Sequence, residues 1–462
     1  MTSIKDVVIV GGGIAGLSAA WRLRHLDSLV LESDHRVGGR IRSEKRGRYF
    51  LNWGGHVYAG GDSATSWLLD STGVDAVPVP GSLSGLHMNG KLLLKGRVET
   101  YPFRVPMSMS ARVGMLTAGA KVFSKVGRYA RIVGRRKGES EGQRQQRVYD
   151  FMNDISFKEF LGDIPADAQA LFEPTVTRSA GDIDQISAGA GVGYFSLVWN
   201  IGAGLSNSIV GGPATLTESI AAALGDSVQL GASVREVVQK ANSVVVRYEQ
   251  DGVAYEVEAR TAVLATPAPI THRIAPDLDA DLRDALSKIQ YGPYVSAAFL
   301  TNETGRRPWD DAYGIATPKR SFNVVLNMSN IQHGYSRERH PGSSLMTFSP
   351  GTLARNLMEK DDADIRNTYL EDLDQVLPGV ASDVTESHVW RLPLGAPYCF
   401  PGRGKLQPVL TRRTGRVLLA GDYMGSLYTE TAIQSGLNAA TDVRGLLATD
   451  RQTSRAGLVT AS

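Results

Sequence analysis

Apolar residues recur along the chain in two periods, and their order predicts strands alternating with helices. Asp6–Val10 (DVVIV) is a short β-branched run of the kind buried on both faces of a parallel sheet. Gly11-Gly12-Gly13-Ile14-Ala15-Gly16 follows at once, and Leu17, Ala20 and Leu23 then repeat at helical spacing. A second strand, Ser28–Leu31, ends in Glu32. Val244, Val246 and Tyr248, then Tyr255 and Val257, alternate as a two-stranded ribbon that turns at Asp251-Gly252 and leads into Ala262–Ala265. Leu216–Leu224 reads as helix after Gly211-Gly212, and Arg416–Ala420 as a last buried strand before Gly421-Asp422. From Val113 onward, Leu116, Ala120, Phe123 and Val133 share a helical stripe, while Lys121, Lys125, Arg128, Arg131 and Arg135 share another face.

The 462 residues suffice for two or three folding units, and 50 basic against 47 acidic residues leave a net charge of +3. So small a charge excludes a nucleic-acid binder that works through its global field. A hydrophobic content of 42% excludes wholesale disorder. The single cysteine, Cys399, excludes an intramolecular disulfide and a cysteine metal centre, and the eight histidines lack metal-site spacing, so no metal is expected. Val7–Trp21 is broken by glycines and makes no signal peptide. The uncharged stretch Ile186–Thr217 is long enough for a bilayer, but its seven glycines, with Asn200 and Asn207, point to a buried segment lining a cavity. A soluble cytoplasmic protein, monomeric or homodimeric, is expected.

Glycine is in excess, and the first cluster has a chemical reading. In a strand–turn–helix, Gly11 permits the tight turn, Gly13 lets the backbone approach a pyrophosphate, and Gly16 allows close helix–strand packing. The phosphates would face the unpaired N–H groups of the helix. Glu32 lies where a carboxylate accepts ribose hydroxyls.

Two residues after Glu32 begins Asp34-His35-Arg36-Val37-Gly38-Gly39-Arg40, and here the chain resembles the flavin amine oxidase superfamily, with its monoamine and polyamine oxidases, protoporphyrinogen oxidase and carotenoid desaturases. The resemblance extends through Trp53-Gly54-Gly55-His56, Gly231-Ala232-Ser233-Val234, Thr266-Pro267 and the segment Gly421–Gly436. It implies an α/β fold: a glutathione-reductase-like Rossmann FAD-binding domain, discontinuous over 1–80, 208–290 and 387–448. An α+β substrate domain would occupy 81–207 and 291–386, with 449–462 a flexible tail. FAD contacts carried over by motif are Gly11, Gly13, Ile14, Ala15, Gly16, Glu32 and Ser33 at the first turn. Gly39, Arg40, Trp53, Gly54, Gly55 and His56 follow, then Val234, Ala265 and Thr266, and finally Gly421, Asp422, Thr431 and Ala432. A helix beginning near Glu430 would aim its positive end at the flavin. Asp422, where monoamine oxidases usually carry glutamate, is more similar to protoporphyrinogen oxidase, and Thr431 replaces a common glycine.

The same resemblance implies catalytic positions. Two aromatic walls flank the flavin in amine oxidases: Tyr428 takes one by motif, and Phe400 the other, by the nine-residue interval from Trp390 to Cys399. That interval leaves a thioether from Cys399 to the flavin open, although the surrounding Pro397–Gly402 favours an ordinary thiol. His56 either faces the flavin or serves packing. Ser296 stands where many amine oxidases carry a lysine, which moves the expectation toward C–C or ring oxidation. The implied activity is FAD-dependent hydride removal from a C–N or C–C unit of a small organic substrate, with O2 as acceptor giving H2O2. Alternatives are dehydrogenation of the protoporphyrinogen-oxidase or desaturase type, and redox-neutral chemistry like that of UDP-galactopyranose mutase, which Gly55-His56-Val57 and Tyr101-Pro102-Phe103 resemble. Residues 101–137 carry nine basic and no acidic side chains, which suits a solvated helix, an anionic membrane surface or an anionic substrate.

Overall fold

The DVVIV run forms strand Lys5–Val10, with Val7–Val10 sealed from solvent. In this computed structural model, which describes residues 4–79, 85–134, 136–199, 205–336, 339–413, 415–426 and 428–459, the strand is central to the first of two seven-stranded sheets in a mixed α/β fold. It pairs in parallel with Ser28–Leu31 on one side and with the end of Val253–Leu264 on the other. Val228–Gln229 and Val417–Leu419 extend the parallel set outward. The ribbon Val244–Gln250/Val253–Leu264 forms as the alternation predicts, and Asp251 and Gly252 adopt φ of 51° and 76°, the two-residue turn whose twist suits a hairpin. Helix Ile14–Leu23 packs between this sheet and the long helix Tyr428–Val459. Gly436 permits that contact, since a Cβ there would lie 2.1 Å from the Ala15 carbonyl oxygen.

The second sheet runs Val384–Pro397, Tyr291–Thr301, Ser344–Pro350, Val324–Asn327, Gly314–Ala316, Gly85–Met88 and Lys91–Leu93. One face packs on helix Asp362–Val376 through Ile365, Tyr369 and Leu373. Helices Met109–Val133, Ala166–Val176 and Ala188–Val198 close around Phe157, Phe172 and Phe195 as a separate layer.

Several expectations change here. The division at residue 387 cuts through Val384–Pro397, a strand that pairs along nearly its whole length with Tyr291–Thr301 in the second sheet. The expected tail is helical through Val459; residues 460–462 lie outside the described residues. Of the uncharged stretch, 188–198 is helix and 205–209 strand, whereas 200–204, Asn200 included, lie outside the described residues. Helix Met109–Val133 buries Ala111, Ala118, Val122, Val126 and Tyr129, not the stripe through Leu116 and Phe123. Tyr129 meets Gly193 of the neighbouring helix, and that close approach selects the inward face. Leu116 and Phe123 remain 42% and 54% exposed, and Arg135 lies outside the described residues. No helix among the described residues is long and apolar enough to cross a membrane.

Candidate active site

A cavity of about 1320 Å³ opens at the C-terminal ends of the parallel strands and continues under the second sheet. Its first lobe is built from the glycine motifs. Helix Ile14–Leu23 begins at Gly13 with no side-chain cap and no acidic residue in its first turn, so its free N–H groups face the cavity beside Gly11, Gly13, Ile14 and Ala15. A Cβ on Gly13 would meet nothing within 4 Å: the space before it is open. Gly16 is off the wall and has the packing role instead, because a Cβ there would sit 2.0 Å from the Gly11 carbonyl oxygen. Glu32 is buried, and its carboxylate accepts from the Gly12 N–H at 2.7 Å, the Asp34 N–H at 2.8 Å and the Ser33 hydroxyl at 3.2 Å. It is thereby fixed at the cavity edge, with Ser33 beside it and Val234 and Ser233 beyond.

Gly39 and Arg40 form the next part of the wall, with Trp53, Gly54, Gly55 and His56. Arg40 donates to both carboxylate oxygens of Asp422, at 2.8 and 2.9 Å, and to the Gly395 carbonyl at 3.2 Å. Burial opposes its charge, yet Asp422 more than offsets this and raises the guanidinium pKa above its ordinary value. This fork joins the Gly38-Gly39-Arg40 loop to the end of the last parallel strand, across 382 residues of sequence. The Trp53 indole N–H donates to the His388 carbonyl at 2.9 Å, and Arg42 lies 4.8 Å from the Trp53 ring centroid. Nδ1 of His56 is 3.1 Å from the Gly54 carbonyl, and burial lowers its pKa to about 4, so the ring is neutral at neutral pH. Ala265, Thr266, Gly421, Asp422 and Ala432 complete this lobe.

Thr431 does not reach the wall; it is buried behind Gly425. The helix that was expected near Glu430 starts at Tyr428, and Thr429 and Ala432 from its first turn face the cavity. Glu430 itself turns away. It accepts from the backbone N–H groups of Ala64 and Thr65, at 2.8 and 3.0 Å, and from the Thr65 hydroxyl at 2.6 Å, holding the start of helix Ala64–Thr72.

The second lobe is apolar and aromatic. Tyr428 lines it, with a left-handed φ of 37° and a ring stacked on Tyr194 at 6.0 Å; burial pushes its hydroxyl pKa up to about 12. Phe400 is not on the wall, which corrects its assignment as the second aromatic. Strand Val384–Pro397 presents Trp390, Leu392, Leu394, Gly395 and Ala396 to the cavity, and the chain then turns away. Tyr398, anchored through its hydroxyl to Gln290 at 2.5 Å, and Phe400 join the core around Phe157. Cys399 goes with them: its thiol lies by Tyr149 and Arg403, burial raises its pKa, and it does not line the cavity. The interval counted from Trp390 misplaces both residues because it runs along an extended strand that carries the chain past the site.

Tyr294, on the adjacent strand, faces the cavity where Phe400 was expected to help, with its hydroxyl donating to the Arg178 carbonyl at 2.6 Å and its ring 4.5 Å from Phe348. Ser296, two residues on, is fully buried opposite Trp390 and does not reach the wall. From 186–207, Phe195, Leu197, Val198, Trp199 and Leu205 line the cavity. At the mouth, Glu99 pairs with Arg97 at 3.4 Å and accepts from the Trp199 indole at 3.2 Å, while Phe123 meets Trp199 edge-on at 5.3 Å. No group of three metal-ligating side chains gathers among the described residues.

The chain belongs to the flavin containing amine oxidoreductase family, whose sequence model matches residues 14–444. It is 25% identical over 322 residues to a probable flavin-containing monoamine oxidase A of Dictyostelium discoideum, covering 66% of each chain. It is 24% identical over 342 residues to protoporphyrinogen oxidase 1 of Arabidopsis thaliana, covering 64% of this chain and 59% of that one. The matches thus span somewhat less than two thirds of these relatives' lengths. A solved putrescine oxidase bound to putrescine shares the fold at a TM-score of 0.75 and 21% identity, over 96% of this chain and 99% of the other. Membership of this family implies FAD as the cofactor. The first lobe fits that cofactor: an uncapped helix start and an open glycine cradle suit the diphosphate, and a fixed carboxylate suits the ribose.

Proposed function

We propose that the chain removes two electrons and two hydrogens from a C–N or C–C unit of a small, largely apolar organic molecule, with O2 taking them up as H2O2. Hydride acceptance is the chemistry that FAD would supply when bound; the residues of this chain bind and orient the substrate and keep water away. The observation that carries this reading is the continuity of a glycine-walled lobe with an aromatic one in a single cavity. Gly11, Gly13, Glu32, Arg40, Gly55, Val234, Thr266 and Asp422 would hold FAD in a discontinuous Rossmann-type domain. Tyr428 and Tyr294 would flank the substrate beside it. His56 is neutral and no lysine stands at position 296, so the site offers orientation rather than a charged base. Anaerobic addition of amines and of porphyrinogens to the holoenzyme should bleach the flavin absorbance with at least one class, and air should restore it with release of H2O2. A flavin that no donor bleaches sinks the reading, and turnover of a sugar nucleotide by the reduced enzyme without O2 uptake replaces it with the mutase alternative.

The segment 101–137 would rest on an anionic bilayer. Five of the ten exposed large apolar side chains among the described residues, Phe103, Met109, Val113, Leu116 and Phe123, lie within it, and Leu116 and Phe123 continue into the cavity mouth. Arg128 and Arg131 are exposed on the same helix, the pairing of apolar and basic groups that anionic lipid attracts. Pelleting with phosphatidylserine vesicles at low salt, lost on Phe103→Ser with Phe123→Ser, is expected; no pelleting dismisses the contact.

A further inference from the structure

Among the described residues, the substrate lobe contains one ionised group with no ionic partner. Arg178 sits in a short turn after helix Ala166–Val176 and reaches the cavity wall. Its Nε donates to the Thr175 carbonyl at 2.9 Å, and no ion pair forms on its guanidinium among the described residues. Its backbone carbonyl accepts from the Tyr294 hydroxyl at 2.6 Å, and it lines the same cavity as Tyr294, Tyr428 and His56, so it lies beside the aromatic walls. The other cations on the cavity are committed or remote. Arg40 is held by Asp422, Arg97 by Glu99, and the Arg36 guanidinium by the carbonyls of Val37, Gly39 and Ile41. Arg273 belongs to the nucleotide lobe beside Ile270.

Carboxylates are as scarce. Glu99 is the one acid lining the substrate lobe among the described residues, and it is occupied by Arg97 and the Trp199 indole. An ammonium group entering this lobe meets a cation and no free anion. A carboxylate meets a planar guanidinium whose fork matches it in two parallel hydrogen bonds, within apolar walls that strengthen the attraction.

We infer that Arg178 is a specificity-determining residue that binds a carboxylate of the substrate, so that this enzyme takes carboxylate-bearing apolar molecules rather than diamines. The inference rests on the flavin oxidoreductase reading above and narrows its substrate class. With the acid end held at Arg178, the apolar body of the substrate extends along Phe195, Leu326 and Phe348, all on the wall.

The test is binding to the holoenzyme, read from the perturbation of flavin absorbance and independent of turnover. Three matched probes are used: indole-3-acetate, indole-3-acetamide and tryptamine. The native enzyme should bind the carboxylate at least about tenfold more tightly than the amide or the amine, the scale of one charge-assisted contact. Arg178→Met should bring the three affinities within about twofold, and Arg178→Lys should keep part of the preference. Flavin content and Tm matched to the native enzyme show that the variants are folded. Native enzyme that ranks tryptamine level with or above the acid, or that shows no response to the acid, overturns the inference, and so does an Arg178→Met variant with the ranking intact. If Arg178→Met does not fold, the native ranking and Arg178→Lys decide. Bleaching by amines with no carboxylate preference leaves the oxidoreductase reading standing and removes the role of Arg178; the preference without bleaching by any donor does the reverse.

Discussion

The two lobes of the cavity are built on opposite principles. In the nucleotide lobe the polar groups of the wall hold one another in place: Glu32 is fixed by three donors, Arg40 and Asp422 form a fork, and glycines clear the floor. In the substrate lobe the wall is aromatic and aliphatic, and Arg178 stands in it without an ionic partner among the described residues. A cofactor with fixed shape and charge can be met by groups that are already satisfied and rigid. A substrate lobe must leave something unsatisfied for the substrate to satisfy, and that difference locates specificity.

The sharpest way to break this contrast is to fill the nucleotide lobe without disturbing the fold. Gly13 has an extended backbone at φ −71°, and a side chain there would enter open space. Gly13→Val should therefore leave the chain folded, with Tm close to native, while FAD affinity falls by about tenfold to hundredfold as the side chain occupies the diphosphate position. Flavin retained through gel filtration, measured as the ratio of flavin to protein absorbance, checks it. Gly16→Val, three residues on, should instead unfold this region, since its Cβ collides with the Gly11 backbone. Equal loss of Tm in both variants would show that the motif is only structural.

A smaller effect separates the residues that face the substrate lobe from one that only resembles them by spacing. Tyr294→Leu should lower kcat/KM by about tenfold, the scale of a lost aromatic contact, with little change in Tm. Phe400→Leu should change kcat/KM by less than about twofold and cost about 1 kcal/mol of stability, because its ring packs in the core around Phe157. Steady-state kinetics beside thermal melts resolve the two. The reverse pattern would return Phe400 to the site.

This contrast also explains which parts were legible in sequence. The strand Asp6–Val10, the glycine turn, Ser28–Leu31 and the Asp251-Gly252 hairpin are local: each rests on fewer than about twenty consecutive residues and one period. Most of the nucleotide wall follows from them and from motif. The substrate wall does not. Arg178, in a short turn with no motif around it, reaches the site only because helix Ala166–Val176 and strand Tyr291–Thr301 meet there. Phe400 shows the limit from the other side. A spacing that is correct in number fails when the intervening chain is one continuous strand. Leu116 and Phe123 have helical periodicity, but the buried stripe is the one that carries Tyr129 against Gly193 of a helix distant in sequence.

The smallest expected effect lies at the boundary between the lobes, where His56 takes part in both walls. Burial holds its pKa at about 4, against 6.5 for an ordinary histidine, so the folded chain keeps the ring neutral. The unfolded chain takes up the proton as pH falls through about 6.5. Stability owed to the neutral ring is therefore fully present above that value and is lost progressively as pH falls toward 4. Because the ring borders an open cavity, the loss is expected to be about 1 kcal/mol at pH 5. His56→Gln removes the titration, so the Tm difference between native and variant holoenzyme should shrink between pH 7 and pH 5. A difference that stays constant across that window would mean that His56 is solvated like a surface histidine, and that the aromatic lobe is wetter than its walls imply.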